Sequence, residues 1–258
     1  MRYRATLAYD GTAYQGYQRQ PDGVPTVQAV VERALADICG EHVTVYAAGR
    51  TDTGVHATGQ VIACDADWRH GAEALYRAVN SKLPPDVAIT SLAETAADFN
   101  PRFNALRREY QYTMLLAKHA LPLQRHTAWV LREDRVPDFR LSNMLDAATM
   151  LPGTRDFGAL GRPPQGDNTV RTVFRSEWST VWLPEGMRLT YTIEADAFLY
   201  RMVRRTVGML YDVGRGRMSL SQFESTLHSG EIATGVTIAP PQGLVLTRVT
   251  YPEEPAQT

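Results

Sequence analysis

Tyr3, Ala5 and Leu7 fall on one side of the opening segment, and Arg4 and Thr6 on the other. This period of two predicts a half-buried strand, stopped by the turn pair Asp10-Gly11. Thr26 then precedes Val27, Val30, Val31, Ala34, Leu35 and Ile38, spaced by three and four, with Gly40 beyond them. That spacing predicts a capped amphipathic helix. Strand-like VTVYAA, the loop GRTDTGVHA and strand-like GQVIACDA follow. A helix from about Ala72 to Leu83, ended by Pro84-Pro85, and strand-like VAITSLAE complete a βαββαβ series.

A second series starts after an arginine-rich turn near Asn100 to Arg107, with EYQYTMLL as its first strand. Asp138 is placed to cap a helix carrying Phe139, Leu141, Leu145, Ala148 and Leu151. Strands are expected around TVFRSEWSTVWL and MRLTYTIEA, then a helix over Phe198 to Val213 with Met202, Val203, Val207, Leu210 and Tyr211 inward. A shorter helix and the strand LVLTRVTY close the chain. The element order predicts an α+β protein of two ferredoxin-like βαββαβ halves, residues 1–103 and 104–258, with antiparallel sheets flanking a central basic cleft. A fold of this kind hosts many functions, so the chemistry has to come from the loops.

Composition changes the picture in three places. At 258 residues and 44% hydrophobic, the chain is long enough to bury a full core without covalent staples. Its apolar runs are far shorter than the roughly 20 residues that span a bilayer, and the opening MRYRATLAYD has no signal-peptide core, so a cytoplasmic location is expected. Cys39 and Cys64 are too few for a disulfide framework or a zinc site, and no metal is expected. The net charge of -1 excludes a globally basic nucleic-acid binder. Yet only Lys82 and Lys118 are lysine among 27 cations, and arginines cluster at 102, 107 and 108 and again at 201, 204, 205, 215 and 217. Arginine's planar fork suits phosphate and stacks on bases.

The segment AAGRTDTGVHATGQV stands out, with glycines at 49, 54 and 59 bracketing Arg50, Thr51, Asp52 and His56 between two strands. Such a turn projects a short carboxylate, and Arg50 is placed to hold it ionised. Asp-Thr-Gly also occurs in aspartic proteases, but those need paired carboxylates and this triplet occurs once.

The string GRTDTGVHATGQV resembles the signature of the tRNA pseudouridine synthase A family. The likeness extends through YDGTAYQGYQRQ, LPPDV, FNPRFNALRREYQY, TVRTV, AFLYRMVRRTVGMLYDVGRG and APPQGLVLTRVTY, in family order. The resemblance implies that Asp52 is the nucleophile, that Tyr110 packs on the flipped target base, and that Arg204 pairs with the catalytic carboxylate. Arg19, Arg50, Arg102 and Arg108 become candidate RNA-backbone contacts, and Leu244 a pocket-lining residue. The implied reaction isomerises uridine at positions 38 to 40 of the anticodon stem-loop of tRNA, in transfer RNA numbering, without a cofactor. The implied assembly is a homodimer. Glu109 beside Arg108, and Leu160 after DFGA where many members carry an aromatic, depart from the pattern.

Two other readings compete. A non-catalytic RNA-binding module is disfavoured because no RNP1-like run is present. A carboxylate hydrolase of small glycosides predicts consumption of water and indifference to RNA folding.

Overall fold

A computed structural model describes residues 1–21 and 23–252. The protein is mixed α+β with mostly antiparallel sheets and divides into two compact units, Met1–Arg107 together with the segment from Val245, and Arg108–Leu244.

In the first unit β1 (Arg2–Tyr9) buries alternate residues, Tyr3, Ala5, Leu7 and Tyr9, as its period of two requires. It pairs antiparallel with β3 (His56–Asp65) on one side and β4 (Val87–Glu94) on the other. The short β2 (Val45–Ala47) pairs antiparallel with the C-terminal half of β3. The closing strand β10 (Leu244–Thr250) runs parallel to the start of β3, with Val245 opposite His56 and Leu246 opposite Ala57. Helices α1 (Val27–Cys39) and α2 (Ala72–Asn80) join the strands. Thr26 occupies the N-cap of α1 without making a side-chain cap, and Gly40 ends the helix in the left-handed region. Val27, Val31, Ala34 and Leu35 form the buried stripe of α1.

In the second unit β5 (Arg107–Ala117) pairs antiparallel with β9 (Gly186–Ala195), β9 with β8 (Val170–Leu183), and β8 with β7 (Gly153–Asp156). Strand β6 (Trp129–Arg132) lies parallel to β5. The helices are α3 (Leu141–Thr149), α4 (Met202–Gly214) and α5 (Leu220–His228). Helix α4 is buried nearly all round, including Met202, Val203, Val207, Leu210 and Tyr211.

Four elements differ from the sequence expectation. Helix α3 begins after Arg140, so neither Asp138 nor Phe139 is helical. Helix α4 begins four residues later than its apolar spacing suggests, because Arg201 sits in the left-handed region at φ 60° and breaks the helical path. An L-residue there costs ~1–2 kcal/mol, so the neighbourhood has to enforce it. Strands β6 and β7, four residues each, are too short to show a period. Among the described residues no helix is long and apolar enough to cross a membrane.

Candidate active site

Asp52 lies on the connection between β2 and β3 and is half-buried. The turn is tight: Val55 N–H donates to Asp52 O at 3.1 Å. At its upstream end Ala48 N–H donates to Val61 O at 2.8 Å, and Gln60 Nε2 to Gly49 O at the same distance. The loop is thus stitched to the strand it feeds, which limits how far the carboxylate can wander.

Thr51 carries the strongest attachment. Its Oγ1 shares a buried hydrogen bond of 2.8 Å with the Tyr9 hydroxyl at the end of β1. Its carbonyl oxygen accepts from Tyr17 N–H at 3.1 Å. The segment Asp10–Tyr17 therefore packs along the Asp52 loop, and two glycines permit the approach. A Cβ at Gly11 would run into the Val55 carbonyl, and Gly16 adopts φ +93° while facing Thr51 O. Gly11 N–H also donates to His56 Nδ1 at 3.0 Å. Asp10 Oδ1 lies 3.1 Å from that same nitrogen. The glycine-containing segments YDGTAYQGYQ and GRTDTGVHA, separate in sequence, are two sides of one structure.

The candidate arginines of the first unit differ in setting. Arg50 is exposed and next but one to Asp52. Arg19 donates through Nη1 to Glu32 Oε2 at 3.0 Å, its own side chain half exposed. Arg102 is half-buried, with its guanidinium 5.5 Å from the Phe103 ring centroid.

The remaining candidates belong to the second unit. Tyr110, on β5, is buried and meets Phe198 edge-on at 5.1 Å. Arg204 on α4 donates through Nε to Ala239 O at 2.8 Å, and its own carbonyl accepts from Ala239 N–H, which ties the helix to the segment leading toward Leu244. Arg108 Nη1 donates to Asp196 O at 2.7 Å. Leu244 is buried at the end of the unit, after Gly243, which lies against the Tyr112 ring. Tyr112 is fixed by its own hydroxyl, 2.8 Å from Pro240 O.

Sequence reading missed Tyr9, Tyr17 and Glu32. Tyr9 has the signal of an ordinary inward strand residue, and Glu32 that of a solvated helix face. Glu32 is instead buried, accepting from Gln28 Nε2, Val45 N–H and Arg19. Among the described residues no group of three or more His, Cys, Asp or Glu is placed to hold a metal ion.

Asp52 thus sits on a doubly anchored loop that leads into a sheet strand. A family profile described as tRNA pseudouridine synthase matches residues 5–104 and 147–252, which contain this loop and its partners. The tRNA pseudouridine synthase A of Neisseria meningitidis serogroup B is 38% identical over 255 residues, spanning 98% of this chain and 92% of that protein. Proteins of the same name from Chloroflexus aurantiacus and Geobacter sulfurreducens are 41% and 39% identical, covering 95% of this chain in each case and 87% and 97% of their own lengths. The chain belongs to the tRNA pseudouridine synthase family, isomerases that convert uridine in transfer RNA to pseudouridine.

Proposed function

We propose that Asp52 is the nucleophile with which this enzyme isomerises uridine at positions 38 to 40 of the anticodon stem-loop of tRNA. The observation that supports this most is the anchoring of its loop by Tyr9, Tyr17 and Gly11, which fixes the carboxylate's backbone before substrate arrives. The C1′–N1 bond breaks, the uracil rotates, a C1′–C5 bond forms, C5 loses its proton and N1 gains one. No water or cofactor is consumed. Attack at C1′, addition to the ring and elimination to a glycal all begin from the same carboxylate.

Tyr110 and Arg204, in the other unit, enter through the resemblance. Tyr110 stacks on the extruded base, and Arg204 is the partner of the catalytic carboxylate. Arg19, Arg50, Arg102 and Arg108 contact the RNA backbone, and Leu244 lines the base pocket. The ferredoxin-like assignment belongs to the same reading; the βαββαβ order and the neighbours β4-β1-β3-β2 in the first unit support it. The basic cleft, the homodimer and the cytoplasmic location come from the resemblance and the sequence.

Tritium release from transfer RNA labelled at uracil C5 tests the proposal. The wild-type protein releases tritium without liberating free uracil, and Asp52→Asn binds the RNA but releases none. Near-native release by Asp52→Asn removes Asp52 from the mechanism. Free uracil instead of pseudouridine indicates a hydrolase, and binding without turnover by the wild type indicates a non-catalytic RNA-binding protein.

A further inference from the structure

Tyr200 and Arg201 immediately precede α4, and the proposed mechanism uses neither. The tyrosine is 56% exposed, and the Arg201 guanidinium carbon stands 4.9 Å from its ring centroid. Their outward presentation is enforced by the backbone. Among the described residues Arg201 is the single non-glycine with positive φ, and such a residue persists only where its surroundings over-determine it. Two contacts do so. Tyr200 N–H donates to Arg162 O at 2.8 Å. Gly161 approaches the Tyr200 carbonyl so closely that a Cβ there would collide with it.

The surroundings are cationic. Arg162 is exposed on the adjoining loop. Burial, and then the Arg201 charge one helical turn earlier, pull the Arg205 guanidinium below its ordinary value. Like charges held this close favour an anionic ligand. An exposed aromatic face beside guanidinium groups matches the chemistry of single-stranded RNA, whose bases stack and whose phosphates pair with arginine.

We propose that Tyr200 and Arg201 form a stacking platform for an unpaired nucleobase of the RNA substrate, with Arg162 and Arg201 meeting the flanking phosphates. This rests on the reading of the chain as a transfer RNA enzyme and adds a contact site to it.

Anisotropy titrations with a full-length transfer RNA and with a fully paired RNA duplex, alongside melting temperatures, test the platform. Tyr200→Phe keeps the affinity of the wild type for transfer RNA. Tyr200→Ala weakens it about ten-fold, the loss of one stacked base, and leaves duplex binding unchanged. Arg201→Gly also weakens transfer RNA binding, with a melting temperature equal to or above the wild type because glycine relieves the left-handed strain. Wild-type affinity in Tyr200→Ala overturns the platform, as does an equal loss on transfer RNA and duplex. So does an Arg201→Gly variant that loses affinity only together with melting temperature, since that marks a structural residue. Tritium release by the wild type on the same RNA separates the two readings. Release with unaltered Tyr200→Ala binding sinks the platform alone, whereas a wild type that forms no pseudouridine sinks the enzymatic reading while the binding data still judge the platform.

Discussion

The Tyr9 hydroxyl and Thr51 Oγ1 lie 2.8 Å apart in the interior of the first unit, joining the end of β1 to the residue before Asp52. Because Thr51 is also held through its carbonyl by Tyr17 N–H, the side-chain bond sets orientation more than existence of the turn. Tyr9→Phe removes this bond and is expected to lower stability by about 1 kcal/mol. Its larger effect is expected on turnover, about ten- to a hundred-fold, since small misplacements of a nucleophile are costly. Transfer RNA affinity should stay near wild type. Single-turnover kinetics paired with equilibrium binding check this, and a variant that turns over at the native rate would detach Tyr9 from the site.

Gly11→Ala tests the close approach of the two loops. The added methyl meets the Val55 carbonyl oxygen, a backbone atom that cannot rotate aside. The loops must separate, which loosens the bond from Gly11 N–H to His56 Nδ1. A loss of about 1–3 kcal/mol is expected, as for other overpacked sites, with turnover reduced further than stability alone explains. Denaturant melts and tritium release at a temperature where the variant is fully folded distinguish the two effects.

Tyr110 offers its ring from β5 against Phe198, so substitutions there separate stacking from other roles. Tyr110→Phe keeps the edge-on contact and the aromatic face; it is expected to bind substrate normally and form product slowly. Tyr110→Ala is expected to lose about 1–3 kcal/mol of base-stacking as well. Native rates in both variants would leave Tyr110 as a packing residue only.

How much of this was readable beforehand depends on whether an element carries its own period. Helix α1 was legible because Val27, Val31, Ala34 and Leu35 share a face and Gly40 ends it. The alternation of β1 was equally plain. The start of α4 was not, because a left-handed arginine looks in sequence like any helix-compatible residue. Resemblance singles out Asp52, Tyr110 and Arg204, whereas the side chain that anchors the Asp52 loop is hidden in the strand pattern. Tyr9 alternates with Leu7 as core, and only the fold reveals that its hydroxyl has a task. Glu32 was hidden in the same way, since a helix surface charge and a buried acceptor of three hydrogen bonds have the same letter.

Cys64 gives a pH-dependent prediction. Burial, aided by nearby Cys39 and Asp65, pushes its thiol up to about 12. The folded value lies above the unfolded ~8.5, so the fold holds this proton more tightly than the unfolded chain does. Its stabilising contribution is complete below the unfolded value and fades as pH rises through that window toward the folded one. The loss of melting temperature between pH 8 and 10 (about one to two units around the unfolded value) should therefore be shallower in Cys64→Ala than in the wild type. A thiol reagent at neutral pH should leave Cys64 unmodified until the protein unfolds.

The last prediction separates structure from RNA contact at Arg19. Glu32 is 4% exposed in its side chain and receives Arg19 Nη1 at 3.0 Å, while the Arg19 side chain remains 50% exposed. The same carboxylate accepts from Gln28 Nε2 and from Val45 N–H, so it links α1 to β2. Arg19→Ala leaves a buried carboxylate short of one cationic donor, and a loss of about 2–3 kcal/mol is expected. If the unpaired part of the guanidinium fork also meets phosphate, transfer RNA affinity falls in the same variant and its dependence on salt becomes shallower by about one counterion. The two effects part in a Glu32→Gln background. There the charge that Arg19 neutralises is gone, so the stability cost of Arg19→Ala should shrink, whereas the affinity loss should persist at full size. An affinity loss that disappears with the stability cost would mean that Arg19 reaches the RNA only through the fold, and it would leave the set of backbone contacts.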